Sequence, residues 1–90
     1  MSKIYIVEDD TNISEIESFS LKNSGYDVFV YENAHDFYEA LDKSVPNLVL
    51  LDIMLPDEGG LSIVEKLRKN PVTKKIPIIL VTAKIGRAHV

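Results

Sequence analysis

The run Asn47-Leu48-Val49-Leu50-Leu51-Asp52-Ile53-Met54-Leu55-Pro56 constrains this chain more than any other segment. Four consecutive apolar residues, Leu48 to Leu51, read as a strand buried on both faces, and a carboxylate stands where that strand should end. Burial on both sides points to a parallel sheet covered by helices. In such sheets the ligand crevice lies beyond the carboxyl ends of the strands. A second strand, Ile4-Tyr5-Ile6-Val7, also runs into acid, with Glu8, Asp9 and Asp10 in a row. If the two strands are neighbours, three or four carboxylates share one crevice. Two carboxylates about 5 Å apart repel by roughly 3 kcal/mol at an effective dielectric of 20. A hard divalent cation is the economical way to offset that repulsion.

Strand and helix signals alternate along the whole chain, with no internal repeat, low-complexity stretch or linker. Lys3–Val7 is the first strand. Thr11 or Asn12 can cap a helix running to about Asn23, with Gly25 as its stop. Ile13, Ile16, Phe19 and Leu21 give that helix a broad, imperfect apolar face. Asp27–Tyr31 is a second strand, the most polar of the set and suited to a sheet edge. Ala34, Phe37 and Leu41 mark a second helix that ends before Pro46. The third strand is Asn47–Leu51; Leu61, Val64 and Leu67 mark a third helix after the Pro56–Gly60 loop, stopping near Asn70-Pro71. Pro77–Val81 is the fourth strand. This βαβαβαβ pattern implies an α/β fold, a doubly wound parallel sheet with right-handed crossovers. A strand order of 2-1-3-4 puts strands 1 and 3 together at a topological switch point, where both acidic strand ends meet.

Bulk properties narrow the function classes. Ninety residues support one small domain. A net charge of −4 gives no general attraction to nucleic acid or to an anionic membrane, so direct binding to either is not expected. The chain has no cysteine, which removes disulfides and thiolate metal sites and fits a reducing cytoplasm. No apolar run approaches the roughly 20 residues of a membrane helix, and the start has no secretory pattern. A cytoplasmic protein is expected.

Residue type leaves two readings at each candidate position. Asp52 is either a carboxylate nucleophile on a rigid strand end or a turn-forming Asp beside a Pro-containing loop. Glu8, Asp9 and Asp10 either gather a cation or simply complement the dipole of the helix that follows. Their convergence with Asp52 favours the cation, and Mg²⁺ suits a few carboxylates plus water and phosphate oxygens. Thr82 is either a β-branched strand residue or a hydroxyl placed to bond a phosphoryl oxygen, with the small Ala83 leaving room. Gly59-Gly60 reads as loop geometry before the third helix. His35 reads as a solvated residue on the second helix without a partner for metal or acid–base work, and His89 lies near the end of the chain.

Taken together, Ile-Val-Glu8-Asp9-Asp10, Leu-Leu-Asp52-Ile-Met-Leu-Pro56-Asp-Glu-Gly-Gly60 and Ile-Pro-Ile-Ile-Leu-Val-Thr82-Ala83-Lys84 resemble the receiver domain of bacterial two-component response regulators. The resemblance covers residues 2–84, with a flavodoxin-like receiver fold. It implies a phosphoacceptor signalling domain rather than an enzyme acting on a separate substrate. Asp52 would receive a phosphoryl group from the phosphohistidine of a sensor histidine kinase. Asp9, Asp52 and the Met54 carbonyl would bind Mg²⁺ directly, with Glu8 acting through water. Thr82 would contact the phosphoryl group and report the active state, and Ala83 would give it access. In the complete protein the resemblance implies an output domain, often DNA-binding, that is not encoded here.

Three departures from the family pattern stand out. Glu8 replaces the more frequent Asp, and Gly59 stands where Asp or Asn is common. The family also continues past Thr-Ala with a fourth helix, a fifth strand ending in Lys-Pro and a fifth helix, which are missing from this sequence. Lys84 follows Thr82 too closely to be the phosphoryl-contacting lysine. Ile85-Gly86-Arg87-Ala88-His89-Val90 can be encoded by the beginning of a common DNA-sequencing adapter, so residues 85–90 are expected to be a non-native tail. Two other functions compete. A haloacid-dehalogenase-like phosphatase needs a second Asp two residues after the nucleophile, where this chain has Met54. A flavodoxin-like cofactor binder needs hydroxyls and N–H groups in its first loop, where Glu8-Asp9-Asp10 would repel a phosphate.

Overall fold

Each continuous apolar run forms a strand and each periodic segment a helix. In the computed structural model, which describes residues 2–81, the elements are β1 (Lys3–Val7), α1 (Thr11–Asn23), β2 (Asp27–Tyr31), α2 (Ala34–Lys43), β3 (Leu48–Asp52), α3 (Gly60–Lys69) and β4 (Ile78–Val81). The four strands form one parallel sheet in the order β2-β1-β3-β4. β2, the polar strand, lies at an edge of that sheet, as expected. The residues from Thr82 onward, including Ala83, Lys84 and the 85–90 segment, lie outside the described residues.

The register follows from burying alternate residues of the two central strands. Tyr5 pairs with Val49 and Val7 with Leu51, and all four join one core with Phe37 from α2 and Ile63 and Leu67 from α3. Tyr5 sits at its centre. Its ring meets Tyr31 edge-on at 5.1 Å between centroids and Phe37 at 6.3 Å. Its hydroxyl donates to the Ser44 carbonyl at 2.8 Å, satisfying the one polar atom of a buried ring. Alternation sends Ile4 and Ile6 to the opposite face, where they are also fully buried. Among the described residues no helix is long and apolar enough to cross a membrane.

α1 departs from expectation at both its start and its face. Its cap is Asp10, not Thr11 or Asn12: Asp10 Oδ1 accepts the Asn12 and Ile13 N–H groups at 2.9 and 3.2 Å. Ile16 and Phe19 are 70% and 69% exposed, while Ser14 is buried. At about 100° per residue, Ile13, Ser14, Glu17 and Leu21 share one arc, and Phe19 falls opposite it. The helix therefore turns a mixed polar and apolar arc to the sheet. Gly25 does end the turn after α1, at φ 94°, where a glycine is favoured.

Gly60 has a different constraint. A Cβ there would lie 2.6 Å from the Asp52 carbonyl oxygen and 2.8 Å from Ile53 Cα, both backbone atoms. Its N–H donates to the Ile53 carbonyl at 2.8 Å. The start of α3 is thus pressed against the end of β3, and only a residue without a side chain fits. Gly60→Ala should cost about 2 kcal/mol or more by overpacking. Gly25→Ala, which meets nothing within 4 Å and is strained only in φ, should cost about 1 kcal/mol. Urea unfolding of the two variants checks the order; equal losses would contradict the close approach at Gly60.

Candidate metal centre at the carboxyl ends of the central strands

Parallel pairing of Val7 with Leu51 sets the next residues of the two strands, Glu8 and Asp52, at the same level. Glu8 extends the ladder, its N–H donating to the Tyr31 carbonyl at 2.9 Å. Glu8 and Asp52 are each 2% exposed, and Asp9 is exposed at the mouth of the crevice. One carboxylate oxygen from each of Glu8, Asp9 and Asp52 lies within 4.8 Å of the others. The expected convergence of acids from two unrelated strands is therefore present. Asp10 does not join this trio, because its side chain caps α1; its own N–H donates to Glu8 Oε2 at 3.0 Å.

Burial pushes the Asp52 carboxyl up to about 6 from an ordinary 3.8, reinforced by the Glu8 charge and a hydrogen bond shared with Glu8. The Met54 N–H, donating to Asp52 Oδ1 at 3.1 Å, acts in the other direction. Glu17 on α1 is also raised, first by burial and then by the charges of Glu8 and Asp52. Sequence reasoning missed Glu17. The signal was available in its spacing: Asp10, Ser14 and Glu17 stand at i, i+4 and i+7, on one helical face.

The donor set fits a hard cation. All three groups are carboxylates, two buried and one exposed to solvent. Octahedral Mg²⁺ with oxygens at about 2.1 Å separates its ligands by roughly 3–4 Å, within reach of small side-chain adjustments here. Among the described residues a second group meets the same distance criterion, His35, Asp36 and Glu39 at the start of α2, but all three are exposed. His35 is accordingly not without acidic neighbours: its Nδ1 lies 3.3 Å from Asp36 and 3.8 Å from Glu39. The i, i+4 spacing puts Glu39 on the helix face of His35, while Asp36 is its neighbour in the chain.

The β3–α3 loop carries two further acids with defined partners. Asp57 accepts the Ala34 and His35 N–H groups at 2.8 and 3.0 Å, which hold its carboxyl below the usual range. Glu58 accepts from the Tyr38 hydroxyl at 3.0 Å and the Ser62 hydroxyl at 2.6 Å, and pairs with Lys66 at 2.9 Å. Thr82 and Ala83, expected on the same rim, lie outside the described residues; Val81 before them pairs with Asp52.

Comparison with known proteins agrees with this geometry. Residues 4–90 match the family model of the response regulator receiver domain. A response regulator from Chloroflexus aurantiacus J-10-fl superimposes with a TM-score of 0.86 at 26% identity, over 88% of this chain and 65% of that one. The N-terminal domain of a response regulator receiver protein from Methanoculleus marisnigri JR1 gives 0.86 at 31% identity, over 92% and 68%. The response regulator TrrA from Thermotoga maritima, solved in complex with Mg²⁺-BeF, gives 0.84 at 34% identity, over 92% and 70%. This chain belongs to the response regulator receiver domains, the regulatory signalling modules of two-component systems. It spans about two thirds of the length of these structures.

The raised Asp52 carboxyl has a consequence for stability. Between its ordinary 3.8 and its folded value near 6, the folded chain holds a proton that the unfolded chain releases. Asp52 therefore opposes folding above pH 6, and this penalty fades as the pH falls through 6 toward 3.8. In metal-free buffer Asp52→Asn should be more stable than the unmodified protein by about 1–3 kcal/mol near pH 7.5, the margin shrinking toward about pH 5. Urea unfolding at both pH values reads this directly, and a margin that grows on acidification would contradict it.

Proposed function

We propose that this domain accepts a phosphoryl group on Asp52 from the phosphohistidine of a sensor histidine kinase, with Mg²⁺ held by Glu8, Asp9, Asp52 and the Met54 carbonyl. The observation that carries this reading is the meeting of Glu8, Asp9 and Asp52 within 4.8 Å at the ends of β1 and β3, with Asp52 buried. The Mg²⁺-BeF complex of the Thermotoga relative supports a divalent cation in the reaction.

Phosphoryl transfer asks little covalent help of a protein; alignment and charge neutralisation do most of the work. When bound, Mg²⁺ supplies that neutralisation at the carboxylates and the incoming phosphoryl oxygens. An Asp52 Oδ attacks phosphorus, the P–N bond to the kinase histidine breaks, and the imidazole leaves with the electron pair. The product is an acyl phosphate on Asp52. β3 holds the nucleophile: its backbone is fixed by the parallel ladders on both sides. Asp52 must be ionised to attack; its carboxyl, raised to about 6, is already mostly ionised at neutral pH, and a nearby positive charge would stabilise that form further against burial and the Glu8 charge. Asp9 would hold the cation directly and Glu8 would act on it through water. Thr82 and Ala83, outside the described residues, are the positions that would contact the transferred group and give it access. In this reading the domain answers to a sensor kinase in the cytoplasm and controls an output domain, DNA-binding output being the expectation.

Asp52→Asn in the intact protein should keep the fold and abolish labelling by acetyl phosphate or by a phosphorylated kinase. Labelling that persists unchanged in that variant would show that another residue is the acceptor. Asp9→Ala should weaken Mg²⁺ binding and slow transfer while leaving metal-free stability equal or higher, because one repelling charge has gone. Calorimetric Mg²⁺ titration and a thermal melt measure both; a large loss of metal-free stability would mark Asp9 as structural instead.

A further inference from the structure

The loop between Asp52 and α3 is fastened at both ends. At the near end the Met54 N–H donates to Asp52 Oδ1 at 3.1 Å and the Ile53 carbonyl accepts from Gly60 N–H at 2.8 Å. At the far end both oxygens of Asp57 are engaged by the first turn of α2, through Ala34 N–H at 2.8 Å and His35 N–H at 3.0 Å. Gly59 offers no side-chain cap to α3, so the hold on the loop comes from the acids beside it. Glu58 adds to that hold through Tyr38, Ser62 and Lys66. Between the fixed ends stand only Met54, Leu55 and Pro56, and the proline ring restricts its own φ.

We propose that Asp57 is a positioning residue for the cation site: by binding the first-turn amides of α2 it fixes the path of Met54–Pro56 and so holds the Met54 carbonyl toward Glu8, Asp9 and Asp52. This rests on the ligand set of the proposed function. The interaction is favourable in its own right, since a carboxylate at a helix N-terminus meets unpaired N–H groups and the positive end of the helix dipole. The arrangement couples two places that share no ligand. A cation that needs the Met54 carbonyl in position favours the Asp57–α2 contact, and by reciprocity the contact favours the cation.

The test is Mg²⁺ titration of the intact protein, followed by NMR and calorimetry, with amide hydrogen exchange at Ala34 and His35. Asp57→Ala should weaken Mg²⁺ binding about tenfold, the lower end of what outer-shell partners of a metal site contribute. Asp57→Asn, which keeps one acceptor oxygen, should fall between, and it decides the matter where Asp57→Ala fails to fold. Asn33→Ala is the control. It removes the other side-chain cap of α2, the Asn33 oxygen that accepts the Asp36 N–H, without touching the loop, and its Mg²⁺ affinity should stay within about twofold of the unmodified protein. Mg²⁺ should slow exchange at Ala34 and His35 in the unmodified protein and lose that effect in Asp57→Ala. Equal weakening by Asn33→Ala and Asp57→Ala, or normal affinity in both Asp57 variants, would overturn the positioning role while leaving the proposed function intact. Absence of Mg²⁺ binding by the unmodified protein would overturn both.

Discussion

Mutual repulsion among Glu8, Asp9 and Asp52 is the constraint around which the functional end of this domain is arranged. Parallel pairing of β1 with β3 buries the apolar runs that precede these acids, and the same pairing delivers the acids to one level. The hydrophobic gain of the central strands and the electrostatic cost at their ends are therefore one structural event. Relaxing the cost by slipping β1 one residue along β3 would turn Tyr5 and Val7 away from the core they form with Val49, Leu51, Phe37, Ile63 and Leu67. The sheet can keep its core only by keeping its charges together.

The acids nearby are sorted by what the backbone offers them. Asp10 and Asp57 meet helix N–H groups, at α1 and α2 respectively. Glu58 meets a phenol, a hydroxyl and an ammonium. Glu8 and Asp52 each accept a backbone N–H as well, from Asp10 and Met54, but with Asp9 they also crowd together, two of the three out of water. In neighbouring positions of a single short run, Asp9 groups with Glu8 and Asp52 while Asp10 caps the helix.

Much of this was legible in the chain before any coordinates. Continuous apolar runs and β-branched or aromatic residues located the four strands, and the βα alternation implied a parallel sheet. The polar second strand and the acidic strand ends pointed to the order 2-1-3-4, which the sheet has. The acids at the ends of β1 and β3 were legible as a group because strand ends in a parallel sheet share one side. α1 was not, because its apolar residues span more than one face: Ile16 and Phe19 are exposed and Ser14 and Glu17 turn inward. The Asp57 contact to α2 was also hidden. It joins residues 22 and 23 positions apart in sequence, and nothing in an Asp beside a Pro distinguishes a local turn from a long-range cap. The His35 cluster was not legible either: all three of its groups are exposed, and acidic neighbours of a histidine on a solvated helix face are common without a shared ligand.

The central claim is that the acids at the ends of β1 and β3, not those on α2, form the cation site. Paramagnetic Mn²⁺ added in small amounts to the isotope-labelled protein tests it most directly, because broadening of amide signals falls steeply with distance from the ion. The account predicts that the amides of Glu8 to Asp10 and Asp52 to Met54 broaden first and that excess Mg²⁺ restores them. Broadening centred on His35, Asp36 and Glu39, with the strand ends unaffected, would contradict it.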